Sequence, residues 1–171
     1  MAGKLVQVAT ATVSSAVSSV QLLGIDSDDV YMVVTNNVQM AGAVDLPMRF
    51  TIGGTADSTT SYKYAFKRAR AVSSFTDGNS TGFSAFDFSV GTGGTNDREN
   101  GIFYIYNANS SSKYTTVTAE VVSTSDGTAS LQSSFGGGVF VKNDSVNGVE
   151  FVDNAGSTNI SKGTFTLYKV I

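Results

Sequence analysis

The sequence predicts an all-β protein, an antiparallel, jelly-roll-like β-sandwich of about ten strands with little or no helix. Short runs of β-branched and aromatic residues alternate with polar ones and are separated by turn-forming Gly, Asn, Asp and Ser. No segment holds the period of a long amphipathic helix. The 171 residues suffice for one domain with its own core. We expect a strand or docking arm at residues 1–13 and a single β-sandwich domain at residues 14–171.

The first three predicted strands follow from β-branched and apolar residues that lie between turn signals. They are Lys4–Val13, Ser19–Leu23 and Val30–Val38. The third is apolar on both faces near its start, which is typical of a strand in the interior of a sheet.

The fourth predicted strand, Val44–Ile52, alternates apolar residues with Asp45 and Arg49. It contains the chain's one proline, Pro47, which has no backbone N–H to donate to a neighbouring strand. We therefore expect this strand to lie at a sheet edge or to contain a bulge.

A fifth strand begins at Tyr62, where three aromatic residues alternate with polar ones. The segment Lys63–Val72 also contains good helix formers, so a helix is the alternative, but the period of two favours a strand. A basic strand with aromatic residues can bind an acidic partner, such as an anionic glycan or an acidic capsid surface. The alternative is a strand with buried aromatics and solvated cations. The candidate partner-binding residues are Lys63, Lys67, Arg68 and Arg70.

The second half of the chain contains seven further runs that are predicted to be strands. They are Phe86–Val90, Ile102–Tyr106, Tyr114–Val122, Leu131–Phe135, Val139–Val141, Val146–Val152 and Gly163–Ile171. Turns are predicted at the triple glycine Gly136–Gly138 and at the dipeptide Asp77-Gly78.

The run Gly163–Ile171 is the candidate assembly strand. In a regular strand Phe165, Leu167 and Lys169 share one face, and Tyr168 lies on the other. Both faces therefore carry a large side chain. We expect the core to cover one face and a neighbouring subunit to cover the other.

The composition excludes several kinds of chemistry. The chain has no Cys and no His, so it forms no disulfide, no thiolate metal site and no His-dependent catalytic triad. Its net charge of −3 argues against a protein that coats nucleic acid. No apolar run reaches the ~18 residues of a membrane helix. We expect no cofactor, no nucleic-acid partner, no membrane insertion, and synthesis in a cytoplasm without signal-peptide export.

One acidic loop is a weak calcium candidate. Asp26, Asp28 and Asp29 place three carboxylates within four residues, and carboxylate oxygens are ligands that Ca²⁺ prefers. The spacing lacks the central Gly and the distal Glu of an EF-hand. Such loops are more often turns in which Asp side chains bind backbone N–H groups.

A polysaccharide hydrolase is the least favoured function. Such an enzyme needs two carboxylates close together in space, which a sequence does not reveal. Asp45, Asp87 and Glu120 are candidates only by elimination, and each is predicted to face outward. We therefore expect a protein that is not an enzyme.

Five short motifs along the chain are shared with a known group of proteins. They are Lys4-Leu5-Val6 with residues 11–20, Asp29–Val33 with Asn36-Asn37-Val38, Gly101–Asn107, Asn147–Phe151 and Ser161–Ile171. In these motifs the chain resembles small virion proteins of tailed bacteriophages, especially of aquatic phages. The usual ending of those proteins has a glycine after a Leu-Tyr pair, where this chain has Lys169.

The resemblance implies a jelly-roll-like module of a phage particle, commonly trimeric, and it supplies no catalytic residue. We therefore expect a virion structural protein, a capsid decoration or short fibre, that attaches multivalently to capsid or tail proteins. The alternative is a tail-fibre tip that recognises host surface glycans. In either case the protein would be located on the virion after synthesis in the host cytoplasm.

Overall fold

The computed structural model describes residues 3–71, 73–89, 94–125, 130–153 and 159–171. Within these ranges every regular element is a β-strand, all strand pairs are antiparallel, and no helix is present. The predicted all-β fold class is therefore confirmed. None of the described residues forms a helix that is long and apolar enough to cross a membrane.

The twelve strands follow one another with short connections. Their bounds are β1 Leu5–Val13, β2 Ser19–Leu23, β3 Tyr31–Met40, β4 Met48–Ile52, β5 Thr55–Ala56, β6 Tyr62–Arg70, β7 Ser73–Phe83, β8 Glu99–Tyr106, β9 Thr115–Ser125, β10 Ser130–Phe140, β11 Gly148–Val152 and β12 Ile160–Val170.

The strands form two sheets of unequal size in a sandwich-like arrangement. The large sheet has eight strands in the order β1-β12-β3-β8-β9-β10-β6-β7, and the small sheet has four in the order β2-β11-β4-β5. We call the side of the large sheet that faces the small sheet its inner face and the opposite side its outer face. Because a strand alternates its side chains, each strand of the large sheet supplies residues to both faces.

Aromatic side chains fill the core between the sheets. One group has ring centroids 4.9–6.4 Å apart, with edge-to-face and tilted contacts that aromatic rings favour. Its members are Phe50, Tyr62, Phe86 and Phe140. The hydroxyl of Tyr62 donates to the Asp57 carbonyl oxygen at 2.8 Å, so this buried polar atom is satisfied.

Strand β12 lies between β1 and β3 and pairs with both of them. Residues 5–13, within the segment expected to be a strand or docking arm, form β1 at the edge of the large sheet. Phe165 and Leu167 of β12 are fully buried on the inner face, and Tyr168 is half-buried on the outer face. Whether a neighbouring subunit covers Tyr168 remains a prediction.

Two turn predictions are wrong, and the reason is the same in both cases. Gly136–Gly138 lies inside β10, and Asp77-Gly78 lies inside β7. A Cβ atom on Gly138 would lie 2.5 Å from the ring of Phe86, and one on Gly78 would lie 2.3 Å from the ring of Phe66. These glycines leave room for aromatic rings within a continuous sheet.

Two predicted strands are shorter than expected. The strand expected at Val44–Ile52 begins only at Met48, and Pro47 is buried just before it. This agrees with the absence of a donor on proline. Around Phe86 the chain forms only an isolated bridge with Met48, and Val90 lies outside the described residues. The segment 62–70 is a strand, β6, so the helical alternative there is excluded.

Candidate functional site

The outer face of the large sheet carries an exposed apolar band. In β8 the exposed Ile102 and Tyr104 alternate with the buried Phe103 and Ile105. Neighbouring strands continue the band on the same face, and its side chains are 38–52% exposed. We define the apolar band as Ile102, Tyr104, Val122, Leu131 and Phe135.

Antiparallel register places one acidic side chain within this band. Glu120 of β9 lies opposite Ile102 on one side and opposite Phe135 on the other. The same row continues to Lys67 on β6 and Asp77 on β7. The row therefore reads apolar, acidic, aromatic, basic and acidic from β8 to β7.

Two shallow depressions lie on the outer face and share Ile102 and Glu120. The first, of about 370 Å³, extends toward Asn36 in the middle of β3 and Asn100 near the start of β8. The second, of about 400 Å³, extends toward Phe135. Their walls combine apolar groups with one carboxylate and a few neutral polar groups, and no Lys or Arg lines either one.

Only part of this site could be predicted from the sequence. The alternation in residues 102–106 places Ile102 and Tyr104 on one face, as expected for a strand. No sequence signal indicates that this face stays uncovered, because burial depends on where the second sheet packs. Glu120 was expected to face outward, and it does so.

A second cluster of charged groups lies on the inner-face side of the large sheet near β6. Asp87 is largely buried, and its Oδ1 atom has no hydrogen-bond partner among the described residues. Burial, together with the negative charge of Asp45, raises the pKa of Asp87 to about 7. The expectation that Asp87 faces outward is therefore wrong, because the segment after β7 folds back against the sheet.

The remaining residues of this cluster form hydrogen bonds with one another. Arg68 donates from Nη2 to the carbonyl oxygen of Ser89 at 2.5 Å, and the Ser89 hydroxyl donates to Glu99 at 2.6 Å. Burial lowers the pKa of Arg68. Glu120 belongs to the outer face, so the three candidate carboxylates of a hydrolase do not form one site. Neither outer-face depression is lined by Asp45 or Asp87.

The four candidate cations of the basic strand do not share one surface. Lys63 and Lys67 are exposed on the outer face, whereas Arg68 is half-buried on the aromatic side of β6. Arg70 falls on the side of Arg68 by alternation but is exposed near the strand end. Lys67 forms an ion pair with Asp77 at 2.8 Å. Only the two lysines are placed to meet a partner at the outer face.

The acidic loop is neutralised by lysines. Lys169 lies 3.4 Å from Asp26 and 2.9 Å from Asp29, and Lys113 lies 3.3 Å from Asp28. A hydrogen bond from Tyr31 is the main cause that lowers the pKa of Asp26, and Lys169 is the main cause for Asp29. In the described part of the chain, no group of three or more acidic side chains is arranged to hold a metal ion.

Comparison with known proteins adds no family. No protein-family model and no curated protein matches the chain. One solved structure that is similar is a xylan beta-1,4-xylosidase from Bacillus halodurans C-125, at 9% identity and a TM-score of 0.27. The match covers 92% of this chain but only 34% of the enzyme, so the chain spans about a third of that protein's length. A similarity this loose carries no conclusion for fold or activity.

Proposed function

We propose that this protein is a non-enzymatic structural protein of a bacteriophage virion. It acts as a surface accessory, either a capsid decoration or a short fibre, and attaches multivalently as a homotrimer. The observation that carries the proposal is the exposed apolar band on the outer face of the large sheet. Apolar side chains that are exposed together on one face of a folded domain are a candidate interaction site.

The placement of the charged groups supports a structural role. The acidic loop is paired with Lys169 and Lys113, and Arg68 is bound to a backbone carbonyl. These groups stabilise loops and strands instead of converging on a reactive centre. The resemblance of five sequence motifs to small phage virion proteins supports the same class and is the reason for proposing a phage particle.

Multivalency gives the mechanism. Each subunit of a trimer makes a weak contact, and the contacts together bind firmly because the second and third form at a high effective concentration. A ring of identical subunits also covers exposed apolar surface without leaving an open end.

Two measurements test this proposal. Light scattering at micromolar concentration should give the mass of three chains, and a monomer would contradict the trimer. A reconstruction of particles that carry the protein should show copies on the surface lattice or at a fibre. Absence from the particle would refute the virion role, whatever the oligomeric state.

A glycan-binding fibre tip is the second candidate function. The two depressions favour it, because Tyr104 and Phe135 offer rings for stacking and Glu120 offers a hydrogen-bond acceptor for hydroxyl groups. A glycan array incubated with the purified protein tests this candidate. Binding that is lost in Phe135→Ala would support it, and an array without signal would count against it.

A further inference from the structure

We propose that the apolar band is the surface through which copies of this chain bind one another, with Glu120 of one copy against the lysines of β6 in the next. This inference rests on the proposed homo-oligomer and names the surface that forms it. The composition of the outer face, the order of its charges and its size support this surface.

The composition of the band fits a protein partner better than a sugar. Three of its five members are aliphatic, namely Ile102, Val122 and Leu131, and each is 40–52% exposed. Aliphatic side chains offer neither rings for stacking nor donors for hydroxyl groups. The centre of a protein interface is apolar with aromatic anchors and few charges, and its rim is polar. Here Phe135 and Tyr104 are the aromatic anchors.

Polar residues surround the band as such a rim. On one side the exposed Thr10 of β1 lies beyond the apolar residues of β3 and β8, and its hydroxyl lies 3.2 Å from that of the buried Thr166 of β12. On the other side the row ends at Lys67 and Asp77. The outer face therefore has an apolar centre between two polar margins.

The order of charges selects a second copy as the partner. Glu120 has no hydrogen bond or ion pair with any described residue, so burial in an interface requires a cation opposite it. On the same face Lys67 lies on the far side of Phe135, one strand away. Rotation about an axis that runs along the strands near Phe135 brings the acidic side of one copy against the basic side of the next. The acidic half of the face is thus complementary to its basic half, so each copy can bind one neighbour through each half, as a ring of three copies requires.

Lys67 is the lysine that lies in the row of Glu120, and Lys63 adds positive charge on the same face about 13 Å further along β6. Lys63 is exposed and has no ion pair with any described residue. The ion pair of Lys67 with Asp77 has side chains that are 57% and 69% exposed, and a pair so exposed to water is weak. Lys67 can therefore turn toward Glu120 of a neighbouring copy at little cost.

The size of the face matches a stable interface. Eight strands about 4.8 Å apart give a width of about 34 Å, and strands with a rise of ~3.3 Å per residue give a length of about 26 Å or more. The face is thus about 900 Å², compared with about 800 Å² per partner in a standard interface. Contact over most of this face suffices for stable association.

Charge reversal tests the proposal by light scattering over a dilution series. We expect Glu120→Lys to weaken self-association at least about tenfold, and the pair Lys63→Glu with Lys67→Glu to do the same. The triple variant carries the charges in exchanged positions and should regain association. Asp28→Lys makes the same charge change in a distant, exposed loop and should leave association unchanged.

A second pair of variants tests the apolar centre. Phe135→Ala should weaken association, because it removes the aromatic side chain at the centre of the band. Leu23→Ala removes an exposed apolar side chain from β2 of the small sheet, 42% exposed and away from the outer face, and should have no effect. Each variant is first shown to melt cooperatively, which separates lost association from lost folding.

Each result decides between distinct alternatives. If the protein is oligomeric and no outer-face variant changes its mass, the inference is wrong and the homo-oligomer of the proposed function stands. If the unmodified chain is a monomer, both the inference and the proposed trimer are wrong. If a monomer binds a glycan and Phe135→Ala abolishes that binding, the outer face is a glycan-binding site and the inference is overturned.

Discussion

The substitution Asp87→Asn should stabilise the folded protein at neutral and alkaline pH. Asp87 has a pKa of about 7 in the folded state and an ordinary value of 3.8. The difference is about 3 pH units, and each unit corresponds to ~1.4 kcal/mol. Ionisation of Asp87 therefore costs the folded state up to about 4 kcal/mol, because burial and the charge of Asp45 both oppose it.

The sign of the pH dependence follows from this raised pKa. Between about pH 4 and pH 7 the folded state binds a proton on Asp87 that the unfolded state has released. The stabilising contribution of Asp87 to the free energy of unfolding is therefore fully present below pH 3.8. It falls as the pH rises from 3.8 to 7 and is lost above pH 7. An asparagine is neutral at every pH, so the variant does not lose this contribution.

Urea unfolding followed by circular dichroism measures the effect. We expect the difference in free energy of unfolding between the two proteins to be smallest near pH 4. As the pH rises to 8, this difference should grow in favour of Asp87→Asn. The exposed Asp77→Asn serves as the control and should change stability by less than about 0.5 kcal/mol. A stability difference between Asp87→Asn and the unmodified protein that stays constant from pH 4 to pH 8 would refute the reasoning.

Three further outcomes follow from the structure. Deleting Gly163–Ile171 removes most of β12, which pairs with both β1 and β3. The truncated chain should therefore show no cooperative melting transition. A cooperative transition would show that the strand is dispensable. Gly138→Ala places a methyl group 2.5 Å from the ring of Phe86 and should lower the free energy of unfolding by about 1–3 kcal/mol in urea titrations. An unchanged unfolding midpoint would mean that the Phe86 ring shifts to accommodate the methyl group at no cost. Lys169→Met removes the main cause of the lowered pKa of Asp29, so an NMR titration of that carboxyl should move toward its ordinary value; no movement would contradict the ion pair.

The strands could be predicted from the sequence wherever side chains alternate. The strand starting at Tyr62 follows from its period of two, and the structure has it as β6. Gly78 and Gly138 misled the prediction, because a glycine in a turn and a glycine beside an aromatic ring look alike in sequence. Only the pairing of distant strands shows that Phe66 and Phe86 occupy those spaces.

The candidate site was less predictable, because exposure is a property of packing. The small sheet covers one face of the large sheet, and nothing in the residues 102–104 tells which face that is. The same holds for Asp87, whose burial arises when the segment after β7 packs against the large sheet near Arg68. Interactions between residues far apart in the chain decide both outcomes.

The pairing of β1 with β12 has a consequence for the order in which the protein folds. Thr10 donates to the carbonyl oxygen of Phe165, which is 155 positions further along the chain. Because β12 is the last strand to be synthesised, β1 has no partner strand in the sheet until all the strands between them have been made. Sheets that depend on such distant pairs fold slowly, because the entropy of closing a long loop is lost before the contacts form. A nascent chain of this protein thus exposes unpaired β-strands for most of its synthesis, and factors that shield such strands would raise its yield.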